Sequence, residues 1–97
     1  MVLDTEKCIL AIEDEIIYLT VNENIVLNAL ISNKFRGIST RELKQYIYPY
    51  SFDVRQIILK LRRKLKDYLS IYSHNRRYYI EFNLSYIKKR SKYGIFK

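Results

Sequence analysis

The sequence predicts a single α+β domain: a short N-terminal β-hairpin, three helices, a C-terminal β-hairpin and a basic tail. Two observations predict the helices. Two capping boxes each precede a segment whose apolar residues have helical spacing, and a longer apolar stripe of helical spacing follows them. A third observation, strand-like patterning at both ends, predicts the hairpins. With 97 residues, 48% of them hydrophobic, the chain can form one core. We expect one domain over residues 1–97, with its core at about 8–82 and its tail at 83–97.

The N-terminal hairpin is predicted over residues 8–20, where two β-branched apolar stretches flank the acidic turn Glu13-Asp14-Glu15. The first helix follows directly. Thr20 and Glu23 have the spacing of a capping box, in which each side chain bonds the other residue's backbone N–H. Apolar residues then recur at helical intervals, so this helix is expected to reach about Asn33 and a loop to reach Gly37.

The second helix is predicted from a second capping box, formed by Ser39 and Glu42. It is expected to pass Tyr46 and Ile47 and to end before Pro49, because a proline disfavours helical geometry in the residue before it. The third helix is expected to begin near Ser51 or Asp53 and to run to about Tyr68. Its apolar stripe repeats at intervals of three and four residues and comprises Val54, Ile57, Ile58, Leu61 and Leu65.

The C-terminal hairpin is predicted over residues 69–82, where apolar residues alternate around the polar tip His74-Asn75-Arg76-Arg77. The remaining residues, 83–97, contain the basic run Lys88-Lys89-Arg90-Ser91-Lys92. Two alternatives stay open for them: a short helix over 84–90, or a basic tail whose apolar residues dock on the body or on a second copy.

Charge is distributed unevenly along the chain. Residues 1–33 carry six acidic residues and one basic residue, whereas residues 34–97 carry seventeen basic and four acidic residues. Such a one-sided excess is typical of proteins that bind a polyanion. A well-solvated surface is the alternative, but helical faces that are only solvated usually mix the two signs. The third helix carries six basic residues against only Asp53 and Asp67 at its ends, which favours nucleic acid.

The order of elements is that of a winged helix, in which the third helix enters the major groove of DNA and the hairpin, or wing, reaches an adjacent groove. Residues 8–82 resemble the DNA-binding domains of OmpR/PhoB-type response regulators. The residues that carry the resemblance are Leu19-Thr20-Val21-Asn22-Glu23, Ile38-Ser39-Thr40-Arg41-Glu42-Leu43, Leu61-Arg62-Arg63-Lys64-Leu65, and Ile71 with Tyr79. No phosphoacceptor receiver domain is expected within this chain, and the connection Tyr48-Pro49-Tyr50-Ser51 is shorter than the family loop that meets RNA polymerase.

The resemblance implies that exposed positions of helix three contact DNA, including those that correspond to Asp53 and Ile57 here. Gln56 suits a bidentate contact with adenine and Lys60 a contact with guanine or phosphate, while Arg62, Arg63 and Lys64 are expected at phosphates. The full set of predicted DNA-binding residues is Thr40, Arg41, Lys44, Arg55, Gln56, Leu59, Lys60, Arg62, Arg63, Ser73, His74, Asn75, Arg76 and Arg77.

The expected partner is double-stranded DNA, and AT-rich DNA in particular. Ile, Lys, Asn and Tyr, which have AT-rich codons, make up 40 of the 97 residues, and narrow AT-rich minor grooves attract arginine. Two roles remain open: a DNA-bound accessory at a plasmid or phage transfer or replication origin, with a relaxase as partner, or a small transcription regulator that meets RNA polymerase. The protein resembles, in outline, the winged-helix accessories of conjugative plasmids from low-GC Gram-positive bacteria. A homodimer on repeated half-sites is compatible with either role.

Three further expectations concern chemistry and location. Cys8 and His74 lack a third orienting group, so neither a nucleophile pair nor a metal site is predicted, and we expect no enzyme and no cofactor. A single cysteine and the lack of a long apolar run favour a cytoplasmic, DNA-associated protein without a membrane segment. The alternative function is a winged helix that binds an acidic protein partner through its basic face.

Overall fold

The computed structural model describes residues 1–47 and 53–82. They form an α+β domain with three helices and two antiparallel sheets of three strands each. The elements, in chain order, are β1 (Val2–Asp4), β2 (Ile9–Ile12), β3 (Glu15–Tyr18), α1 (Val21–Ser32), β4 (Ile38–Ser39), α2 (Thr40–Lys44), α3 (Val54–Leu65), β5 (Leu69–His74) and β6 (Arg77–Phe82). The expected α+β class and the expected number of helices are confirmed within these residues. The prediction for the tail at 83–97 lies outside them, as does Pro49 itself, but the described residues show that α2 already ends at Lys44.

The first sheet contains the predicted N-terminal hairpin, β2 with β3, in which Ile12 pairs with Glu15 across the turn. Strand β1 was not predicted; it pairs along the other side of β2 and gives the order β1-β2-β3. One side of this sheet faces the core through Leu10 and Ile12, which are buried. The sheet therefore covers one end of the helical layer.

Helix α1 begins at the predicted capping box. The Thr20 hydroxyl accepts from the Glu23 N–H at 3.1 Å, and the Glu23 carboxylate accepts from the Thr20 N–H at 2.9 Å. At the other end, the Asn33 side chain donates to the Ala29 carbonyl at 2.8 Å, which satisfies one of the last carbonyls of the helix. Both ends are thus determined by residues adjacent in sequence, as predicted.

Gly37 allows the chain to turn back toward the second sheet. Its φ is +75°, and a Cβ at this position would lie 2.7 Å from the Tyr79 ring. Glycine adopts this left-handed conformation without a steric cost, and here it also makes room for the ring. The next two residues form β4, a strand that the sequence analysis missed, which pairs with β6 and gives the sheet order β4-β6-β5.

Helices α2 and α3 are both shorter than predicted. After Lys44 the backbone of α2 tightens, because Gln45 and Tyr46 donate to the carbonyls three residues earlier, Glu42 and Leu43. Helix α3 ends at Leu65, and the Tyr68 N–H closes a turn on the Leu65 carbonyl at 2.9 Å. Pattern and propensity do not distinguish a last helical turn from such tighter turns.

The core lies between the three helices and the two sheets. Its most deeply buried side chains come from every layer and include Leu10, Leu27, Leu30, Ile38, Leu43, Ile58 and Leu61. All five residues of the predicted α3 stripe are buried. Because this stripe faces the core, the remaining side chains of α3 face outward.

Candidate nucleic-acid interface

The N-terminus of α3, where its outward side begins, is capped by a side chain. Asp53, which the resemblance places at a DNA-contacting position, is the N-cap, and its carboxylate accepts from the Arg55 N–H at 2.9 Å. Ile57, placed at another such position, is 6% exposed and belongs to the core. Ile57 is therefore covered by the core in this structure, whereas Asp53 is exposed and its DNA contact stays a prediction.

Two contacts fix the edges of this outward side. On one edge, the Arg62 Nε donates to the Ile71 carbonyl of β5 at 2.8 Å. On the other edge, the Lys64 ammonium donates to the Tyr18 carbonyl at 2.9 Å and bonds the Glu23 carboxylate. The second hairpin therefore lies along the Arg62 edge, and β3 with the start of α1 lies along the Lys64 edge. The Lys64 ammonium thus already has an anionic partner within the domain, while its side chain stays 35% exposed, and its phosphate contact remains a prediction.

Between the two edges lies a row of exposed residues that we call the outward row of α3: Arg55, Gln56, Leu59, Lys60, Arg63 and Lys66. Four of them are cations, and none of the four forms a salt bridge with another described residue. No acidic residue lies within α3. Gln56, Leu59 and Arg63, spaced by three and four residues, lie at the centre of the row. Within the described part of the chain, the row is a cationic surface without ion-pair partners, and one amide and one apolar side chain lie at its middle.

The tip of the second hairpin is a tight two-residue turn. His74 pairs with Arg77, and the two residues between them, Asn75 and Arg76, have φ values of 50° and 64°. Positive φ at both central residues defines a type I′ turn, whose twist matches that of the flanking strands. Arginine is unusual at the second position, where glycine is preferred. The turn places the Arg76 side chain at the extreme end of the hairpin, exposed to solvent.

Arg77, also predicted at the tip, is directed back toward α2. One of its guanidinium nitrogens lies 2.9 Å from the Glu42 carboxylate, and its Nε donates to the Arg36 carbonyl at 3.3 Å. Glu42 also pairs with the Arg36 guanidinium at 3.3 Å and accepts from the Ser39 N–H at 3.1 Å. We call Arg36, Glu42 and Arg77 the hairpin anchor. It joins the loop before β4, the first turn of α2 and the first residue of β6.

The backbone N–H of Ser39, its hydroxyl and the two arginines hold the pKa of Glu42 below its ordinary value. When folding lowers the pKa of an acid, the ionised acid stabilises the folded state at pH values above the pKa of the unfolded chain. This stabilisation is lost as the pH falls through the pKa of the folded state. The anchor is therefore fully charged at neutral pH and weakens only in acid.

Glu42→Gln tests the anchor without removing the cap, since glutamine also serves at this capping-box position. We expect faster amide hydrogen exchange at Ser39 and Arg77 in the variant, because a neutral amide holds the two guanidinium groups less strongly. We also expect the unmodified chain to lose protection at these amides on acidification, once exchange is expressed relative to the intrinsic rate at each pH, and the variant to lack this pH dependence. Exchange measured by NMR across an acidic pH series provides both readouts. Equal exchange rates and equal pH profiles for the two proteins would show that the ion pairs do not hold the hairpin.

Three predicted residues lie on α2. Arg41 and Lys44 are exposed and Thr40 is partly buried. Together with Gln45 they line an open surface depression of about 480 Å³. Since Ser39 pairs with Arg77 across β4 and β6, the start of α2 adjoins the base of the hairpin tip.

The predicted site residues thus fall into three neighbouring groups. The outward row contributes Arg55, Gln56, Leu59, Lys60 and Arg63; α2 contributes Thr40, Arg41 and Lys44; the hairpin contributes Ser73, His74, Asn75, Arg76 and Arg77. Arg62 links the first group to the third through Ile71, and Arg77 links the third to the second through Glu42. The sequence analysis missed the roles of Arg36 and Glu42 in this linkage. Only the capping-box spacing of Glu42 was visible, because its arginine partners depend on the fold.

Comparison with known proteins gives no family for the chain: no protein-family model matches it, and no curated protein does. Over residues 1–47 and 53–82, no group of three or more His, Cys, Asp or Glu side chains is arranged to hold a metal ion. None of the helices described there is long and apolar enough to cross a membrane.

Proposed function

We propose that this chain is a winged-helix domain that binds double-stranded DNA, with α3 in the major groove and the β5–β6 hairpin as the wing in an adjacent groove. The observation that carries the proposal is the outward row of α3, whose four cations form no salt bridge with any residue of the described ranges 1–47 and 53–82. When all the charges on one side of a helix have the same sign, their mutual repulsion destabilises the folded chain. Bound phosphates would remove that repulsion and release counterions from the DNA.

The outward row has side chains suited to reading bases as well as phosphates. Gln56 lies at its centre, and its amide can form two hydrogen bonds with adenine in the major groove. Leu59 is 39% exposed and offers an apolar contact for the thymine methyl group. Arg55, Lys60 and Arg63 surround them as phosphate contacts, which fix position without reading sequence. This set favours a binding site rich in A·T pairs.

The wing contributes mainly through Arg76 in this proposal. Its place at the end of the type I′ turn suits insertion into a narrow minor groove, where the negative potential is strongest. Arg77 and Arg62 act as positioning residues, because their guanidinium groups hold the hairpin against α2 and α3. Thr40 and Arg41, at the start of α2, supply backbone contacts beside the wing.

Fluorescence anisotropy with labelled duplexes tests the proposal. The unmodified chain is expected to prefer an AT-rich duplex from the DNA flanking its gene over a GC-rich duplex of equal length. With about six phosphate contacts, affinity should fall roughly 10³-fold between 50 and 200 mM salt. A scrambled duplex of the same composition is the control for sequence preference. Negligible binding to every duplex at low salt would reject the proposal and favour an acidic protein partner for the same surface.

The amino-acid composition bears on the biological setting, because 40 of the 97 residues have AT-rich codons, which are typical of a low-GC genome or plasmid. On this ground we propose a DNA-bound accessory at a plasmid or phage transfer or replication origin in preference to a transcription regulator. The connection between α2 and α3 does not favour either role, because α2 ends at Lys44 and α3 begins at Val54, which leaves a longer connection than the sequence predicted. Footprinting on the flanking DNA distinguishes the two roles. Protection of repeated half-sites beside a relaxase gene supports the accessory role and a dimer on DNA, whereas protection over a promoter supports the regulator.

A further inference from the structure

The outer side of the first sheet is apolar and exposed. Register places Val2, Ala11 and Ile16 in one row across β1, β2 and β3, and Asp4, Ile9 and Tyr18 in the next row. Paired residues of antiparallel strands share one side of the sheet. Tyr18 is 74% exposed, Val2 66% and Ile16 56%, while the opposite side meets the core. We call these two rows the outer sheet face.

Acidic residues lie within the outer sheet face, at Asp4, and along its border. Residues 1–18 contain five acidic residues, at Asp4, Glu6 and the turn Glu13-Asp14-Glu15, and one basic residue. The segment 83–97 has the complementary composition, with five basic residues and no acidic one. It also contains the apolar residues Leu84, Tyr86, Ile87, Tyr93, Ile95 and Phe96. An apolar surface with an acidic border matches this segment in both hydrophobicity and charge.

The segment starts within reach of that face. Phe82 is the last residue of β6, and the distance from its ring centroid to the Lys34 ammonium nitrogen is 5.8 Å. Since Lys34 follows the C-terminal end of α1, β6 ends beside that end of the helix. The first sheet lies at the other end of α1, where the Asn24 side chain donates to the Thr5 carbonyl at 2.9 Å. A helix of 12 residues is about 18 Å long, whereas 15 extended residues span up to about 50 Å.

A groove also connects the two ends of α1. It has a volume of about 420 Å³ and is lined from Ser32 and Asn33, near the end of α1, to Asn24 and Thr5, beside the first sheet. An extended chain that left β6 near Lys34 could follow this groove.

We propose that the segment 83–97 docks on the outer sheet face of its own chain, with its apolar side chains on Val2, Ile16 and Tyr18 and its cations beside the acidic turn. Docking would shield an exposed apolar surface of a kind that promotes association. It would also occupy basic residues that could otherwise bind DNA without sequence preference. The inference does not depend on the proposed function.

Paramagnetic relaxation in the full chain tests the docking. Cys8→Ser removes the native thiol, and Ser91→Cys then carries a nitroxide label. We expect the amide signals of Val2 and Ala11 to lose intensity in the labelled protein and to recover when the nitroxide is reduced. In an equal mixture of isotope-labelled chains without nitroxide and unlabelled chains with nitroxide, we expect no loss, because the contact is within one chain.

Two variants complete the test. Ile16→Ser with Tyr18→Ser should abolish the loss at Val2 and Ala11. The control Phe35→Ser should leave it unchanged, since Phe35 is 90% exposed and lies in the loop after α1. The proposal is overturned by an undiminished signal in the labelled chain, by a loss that survives the double variant, or by a loss in the mixture. The last result would assign the outer sheet face to a second copy.

Discussion

Exchanging Arg55 and Arg63 for glutamate is expected to weaken DNA binding strongly and to a similar extent for every duplex. Both residues belong to the outward row of α3, are exposed, and have no salt-bridge partner among the described residues. Each substitution deletes a cation and places an anion against the DNA backbone. At about 1–3 kcal/mol for each lost contact, the double variant should bind roughly 2–6 kcal/mol more weakly, and the slope of log affinity against log salt should fall by about 2. Anisotropy over a salt series measures both quantities.

A control with the same change in net charge separates local contact from overall charge. Lys7→Glu with Lys34→Glu also lowers the net charge by four, in the β1–β2 loop and after α1, away from the outward row. We expect this control to lower affinity only slightly, through long-range attraction that salt screens. If both double variants lost affinity equally, binding would depend on net charge alone and α3 would not be the contact surface.

The sequence predicted those features of the fold that are encoded over a few residues. The Thr20–Glu23 and Ser39–Glu42 capping boxes both form, because each needs only two residues three apart. The α3 stripe predicted which side of that helix is buried, since helical periodicity alone determines it. Strands β1 and β4 were missed because they are only three and two residues long. Such short strands exist through pairing with a partner and have no periodic signal of their own.

The candidate site was predictable in composition and only partly in geometry. Arg62, Arg63 and Lys64 are adjacent in sequence and were expected to act alike, yet successive residues of a helix point about 100° apart. Arg63 is consequently exposed on the outward row, Arg62 reaches β5 and Lys64 reaches α1. Likewise, Arg77 and Glu42 are 35 residues apart and meet only because β4 pairs with β6. These distinctions arise from tertiary contacts, which no local pattern encodes.

Lys64→Met should destabilise the fold and leave DNA recognition intact, the reverse of what is expected at Arg63. The Glu23 side chain is only 2% exposed, and its carboxylate meets both the Lys64 ammonium and the Thr20 N–H. Methionine keeps the length and helix propensity of lysine but leaves this carboxylate without its cation. Removing one partner of a buried ion pair costs about 3–5 kcal/mol. The Lys64 side chain is 35% exposed, so water offsets part of the loss, and we expect about 1–3 kcal/mol.

Chemical denaturation of matched variants measures this cost. Lys66→Met, an exposed lysine two residues further on, should change the free energy of unfolding by less than about 0.5 kcal/mol. Adding Glu23→Gln to Lys64→Met should recover part of the loss, because a neutral amide is less costly to bury than an unpaired carboxylate. At a temperature where the Lys64→Met chain is fully folded, its salt slope for DNA binding should equal that of the unmodified chain. Equal stability of the Lys64→Met and Lys66→Met variants would mean that the Lys64 ammonium does not stabilise Glu23. A reduced salt slope of the Lys64→Met variant would instead show that Lys64 contacts DNA.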